Sequence, residues 1–75
     1  MDYYKGAQKI GKLLQKEGLR EVAENLINVI DEGMTATKIL MGIKYHLDKA
    51  KKIKMSDITK KRILNFLNEI EKALQ

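Results

Sequence analysis

Cysteine, proline and tryptophan are all missing from these 75 residues. Without cysteine there is no disulfide and no thiolate metal site, and a reducing compartment fits. Without proline, and with much Leu, Ile, Lys and Glu, helices are favoured over a turn-rich β fold. No apolar run approaches the ~20 residues that cross a bilayer. The stretch Met1-Asp2-Tyr3-Tyr4-Lys5-Gly6 has no apolar segment behind a basic start, so no signal peptide is expected and the default location is cytoplasmic. A chain this short makes a single domain, residues 1–75, and relies on regular helix packing or a partner for stability. With 44% hydrophobic residues, it is not disordered throughout.

Catalytic chemistry is scarce as well. His46 is the one histidine, with no carboxylate three or four residues on, and it falls at the boundary of an apolar helix face. Neither H-E-x-x-H nor a Cys/His cluster exists, so no metal site is expected. There is no cysteine nucleophile, Ser56 is placed to cap a helix, and no strand precedes a glycine-rich phosphate loop. The chain reads as a non-enzyme with no cofactor.

What is present is helical periodicity. Residues 3–17 place Tyr3, Ala7, Ile10 and Leu14 on one face, with Leu13 at its edge. Lys5, Lys9, Lys12, Lys16 and Arg20 form a basic strip opposite. Gly6 and Gly11 each cost about 1 kcal/mol against Ala, so the first turns are expected to fray. Gly18 stands where a left-handed residue ends a helix. Residues 19–32 are apolar at Leu19, Val22, Ala23, Leu26, Ile27, Val29 and Ile30. Their far side is an acidic rail of Glu17, Glu21, Glu24, Asn28 and Asp31, and Gly33 is the expected terminator.

A third helix over 35–50 begins at Thr35, a good N-cap, with Met34 and Ile39 set for a hydrophobic staple. It carries two stripes: Ala36, Ile39, Leu40, Ile43, Leu47 and Ala50, and nearly opposite them Met34, Thr37, Met41 and Tyr45. A helix apolar on two sides is either covered twice or offers one side to a partner. A fourth helix over 57–74 follows the cap Ser56, with Asp57 at its positive end and Ile63, Phe66, Leu67, Ile70 and Leu74 inward. Four short helices with brief connections imply an all-α, compact, largely antiparallel four-helix bundle. Leu26, Ile30, Leu40, Ile43, Phe66 and Ile70 are its expected core.

The net charge of +5 is local in origin. Residues 44–62 carry a balance of +6, whereas residues 1–33 carry −1. A nucleic-acid surface is therefore one reading, built on Lys49, Lys51, Lys52, Lys54, Lys60, Lys61 and Arg62. Tyr45 is the lone ring near these cations, which gives little for a single strand to stack on. The helix pair around Gly33 has a helix-turn-helix outline. Its second member, however, offers Lys38, Met41 and Tyr45 without Arg, Asn or Gln to read base edges. The other reading is a protein partner. Met41 and Tyr45 have the character of an interface centre, and Glu21, Glu24, Asn28 and Asp31 would steer a basic partner.

Gly33, Thr35, Thr37, Ile39, Leu40, Met41, Ile43, Lys44 and Leu47, preceded by Leu19-Arg20-Glu21-Val22-Ala23-Glu24-Asn25-Leu26, resemble a family of short bacterial proteins of unassigned function. In these, a helix ends in glycine and is followed by a threonine-containing turn and an I/L-L-M-x-I/L-[K/R] helix. The chain is also similar to the small all-helical immunity proteins encoded beside contact-dependent or polymorphic toxins. That likeness implies a protein that binds a toxin and occludes its site, with no chemistry of its own. From the residues themselves a monomer or homodimer is expected, and a homodimer closed through the second stripe of the third helix stands as a third reading.

Overall fold

The structure, a computed structural model, describes residues 2–32 and 35–75. Its helices are α1 (Tyr3–Lys16), α2 (Arg20–Asp31), α3 (Ala36–Ala50) and α4 (Asp57–Leu74). Each boundary falls within one residue of the sequence expectation. The caps explain that agreement. The Thr35 hydroxyl accepts from the Lys38 N–H at 3.4 Å, and the Ser56 hydroxyl from the Thr59 N–H at 3.4 Å. Gly18 takes φ +83°. Its N–H donates to the Gln15 carbonyl at 3.0 Å and the Leu19 N–H to the Leu14 carbonyl at 2.9 Å. That pair of bonds is a Schellman closure of α1. The terminator role of Gly33 and the Met34–Ile39 staple lie outside the described residues.

Each helix packs on the next, and α4 returns to α1, so the four form a ring around one core. The core takes Ala7, Ile10 and Leu14 from α1 and Ala23, Leu26 and Val29 from α2. From α3 come Ile39, Ile43, Leu47 and Ala50, and from α4 Ile63, Phe66, Leu67 and Ile70. α1 and α4 run antiparallel: Gly6 faces Phe66, whereas Glu17 meets Ser56.

α1 runs unbroken through Gly6 and Gly11, and three apolar positions depart from expectation. Asp2, a cap the sequence reading passed over, accepts from the Tyr4 and Lys5 N–H groups at 3.0 and 3.1 Å. A Cβ on Gly6 would lie 2.5 Å from Phe66 Cε1, so Gly6 lets the ring lie on the α1 backbone. Ile30 and Leu40, expected in the core, are only half-buried. A Cβ on Gly42 would stand 2.7 Å from Val29 Cγ1. α2 and α3 therefore meet at Val29 rather than Ile30, and Leu40 turns to the rim of a groove with Tyr3, Tyr4 and Ala36. Ala36, at the first turn of α3, is exposed.

Candidate functional site

The second stripe of α3 is uncovered at Thr37, Met41 and Tyr45. Met41 and Tyr45 are each 57% exposed, so neither α1 nor α4 packs over them, and core packing is excluded for these two side chains. The Tyr45 ring is nonetheless held. Lys49 Nζ lies 4.4 Å from its centroid, a cation–π distance, and the His46 ring meets it edge-on at 5.3 Å. His46 is half-buried at the face boundary, as expected. Burial first, and Lys49 second, hold its pKa below the ordinary value against the opposing charge of Glu32. Its imidazole is accordingly neutral at pH 7. Lys38 and Lys49 bracket Met41 and Tyr45 along α3, and both are exposed.

On the neighbouring helix α2, Glu21, Glu24, Asn28 and Asp31 are all exposed, at a spacing that sets them along one outward line. Among the described residues, no ion pair joins this rail to α3. Glu17 leaves the rail. One of its carboxylate oxygens accepts from the Ser56 N–H at 3.1 Å. The other accepts from the Ser56 hydroxyl at 2.6 Å and the buried Thr59 hydroxyl at 2.9 Å. The Ser56 hydroxyl bond, followed by the Ser56 N–H and the Thr59 hydroxyl, holds the Glu17 carboxyl below its ordinary pKa. An acid at the end of one helix thus caps the start of another. The one signal in the sequence was the pair of hydroxyls at Ser56 and Thr59, which leave room for an acceptor.

The lysine-rich run 44–62 is not one surface. Asp48 takes Lys44 at 2.7 Å and Lys51 at 3.2 Å. The Lys44 hydrogen bond is the main cause of the lowered Asp48 pKa and of the raised Lys44 pKa. Lys60 Nζ donates to the Ile53 carbonyl at 2.8 Å, closing the connector onto α4. Lys49 belongs to the Tyr45 face. Lys52, Lys54 and Lys61 are exposed, and Arg62 lines a groove between α1 and α4. Charges consecutive in sequence are dispersed because the run spans a helix end, a connector and a helix start.

Among the described residues, no three His, Asp or Glu side chains come together in a metal-holding group, and no helix is long and apolar enough to cross a membrane. Comparison with protein families, curated proteins and solved structures finds no match to this chain.

Proposed function

We propose that this chain is a protein-binding module, and specifically an immunity protein that neutralises a bacterial toxin by seating the outer face of α3 over the toxin's working site. The observation that carries the reading is Tyr45. A large ring, more than half exposed, is fixed by Lys49 and His46 beside an equally exposed Met41. Holding a ring in place before contact lowers the ordering cost of binding, and an interface-centre Tyr contributes 2 kcal/mol or more. The rail of Glu21, Glu24, Asn28 and Asp31 is on the neighbouring helix α2 and would set orientation and on-rate rather than the bulk of the affinity. Neutralisation is then steric and electrostatic and needs no chemistry from the chain.

The test is paired capture from native lysate on immobilised wild type and on Tyr45→Ala, followed by co-expression of the captured protein with each form. The expected result is a partner retained by wild type alone and toxic unless wild type accompanies it. Tyr45→Ala should weaken the isolated complex by roughly thirtyfold, about 2 kcal/mol. A partner held equally by both forms would remove α3 from the interface. A partner without toxicity would remove the immunity role.

A further inference from the structure

On another side of the ring, the outer lines of α1 and α4 meet along an open groove of about 340 Å³. Its floor is apolar: Ile10 and Phe66 are buried, and Gly6 and Leu13 half-buried. Lys9 stands on the α1 rim, with Arg62, Asn65 and Asn68 on the α4 rim, all exposed. The one acid of the lining, Glu69, lies 3.8 Å from Lys72 Nζ. Lys5, Lys12 and Lys16 extend the line of Lys9, and α1 contains no acidic residue. Among the described residues, neither these α1 lysines nor Arg62 makes an ion pair.

Solvation alone accounts for lysines along an outward helix line. It does not call for a guanidinium and two amides facing them across a groove. Arg62, Asn65 and Asn68 recur every third residue on α4, and they are the side-chain types that pair with guanine and adenine edges. One turn before Arg62 is Ile58, 71% exposed, the kind of apolar group that meets a thymine methyl. The line from Lys5 to Lys16 extends about 16 Å at the helical rise, the axial length of about five nucleotides of one strand. The base-reading residues absent from α3 are thus present on α4, next to a ladder of phosphate-binding charge.

We propose that the α1–α4 face binds double-stranded DNA, with the Ile58–Asn68 side of α4 in the major groove and Lys5, Lys9, Lys12 and Lys16 on the adjoining phosphates. The major groove admits an α-helix, and α1, running antiparallel beside α4, would follow the adjoining strand. Tyr45, on α3, does not line this groove, so this site does not depend on the protein-binding reading.

The experiment is anisotropy titration of the full chain with a labelled random-sequence duplex and the matching single strand. Expected are duplex binding at micromolar Kd or tighter in 50 mM salt and a slope of log K against log salt near −4, at about −0.9 per neutralised phosphate. Lys9→Glu with Arg62→Glu should weaken binding at least tenfold. Asn65→Ala with Asn68→Ala should flatten the sequence preference found by selection from a random pool while sparing most of the affinity. Tyr45→Ala should change nothing. All these side chains are exposed, and circular dichroism checks that each variant stays helical. The proposal is overturned by no salt-dependent binding, or by an equal loss from Lys52→Glu with Lys54→Glu. Single strands binding as tightly as duplex would also overturn it. Poly-glutamate competing as well as DNA per charge would give the face to an acidic protein instead.

Discussion

Leu40 and Tyr45 lie five residues apart on α3, and their environments set different expectations for truncation. Ile43, between them, is fully buried, so Ile43→Ala removes packed methylenes and leaves a cavity, a cost of about 2–5 kcal/mol. Leu40 is half-buried on a groove rim. Water can follow its removal, and Leu40→Ala should cost about half as much as Ile43→Ala by the same cavity argument. Tyr45 is mostly exposed, and Tyr45→Ala should stay within about 0.5 kcal/mol of wild type. Urea unfolding of the three variants checks the order. A Tyr45→Ala loss comparable to that of Ile43→Ala would make the ring a structural group and withdraw it from the proposed interface.

Between elements, contacts depend on what faces what, and here the sequence is legible only in part. The Thr35 and Ser56 caps and the inward lines of α3 and α4 are local patterns, and they were readable. The bond from Glu17 to Ser56 links residues 39 positions apart, and no local spacing announces it. Ile30 and Leu40 fit the apolar period as well as their neighbours do. Only the α2–α3 contact at Gly42 decides that Val29 goes in and Ile30 stays at the edge. The exposure of Met41 and Tyr45 was equally undecidable, because either α1 or α4 could have covered them.

The same contacts reverse the usual value of glycine in a helix. Gly11→Ala gains about 1 kcal/mol of propensity, with Ile27 at 3.4 Å, an ordinary contact distance. Gly42→Ala would drive a methyl to 2.7 Å from Val29, and overpacking of that kind costs about 1–3 kcal/mol. Thermal melts should therefore shift up for Gly11→Ala and down for Gly42→Ala. A rise for both would show that α2 and α3 can part without loss.

The Glu17 bonds also give the fold an acid limb. A carboxyl whose folded pKa is lowered stabilises the fold above its ordinary value, about 4.3 for Glu, and that stability is lost as pH falls through the lowered folded value. Asp48, held down by Lys44 and then Lys51, adds a loss of the same sign. His46, whose half-buried ring resists protonation, adds another that begins higher, as pH drops below about 6.5. The melting midpoint should decline in two stages on acidification. Glu17→Gln should lower the midpoint at neutral pH and flatten the lower stage alone; an unchanged lower stage would assign it elsewhere.

At the scale of the molecule, charge is arranged by side: α1 is purely basic, whereas α2 carries Glu21, Glu24 and Asp31 against Arg20. This arrangement bears on self-association. A dimer closed on the α3 stripe needs about 800 Å² from each copy, a large share of a total surface of 5130 Å². A two-fold axis through Met41 and Tyr45 would bring Lys38 of one copy near Lys49 of the other, and like charges set against each other at an interface cost several kcal/mol. The chain should therefore sediment as a monomer of 8.6 kDa at micromolar concentration and moderate salt. Doubled mass reverting to monomer in Tyr45→Ala would mean that the copies avoid the Lys38–Lys49 encounter by an offset packing. The exposed ring would then be buried by its own kind, and the toxin reading would lose its carrying observation.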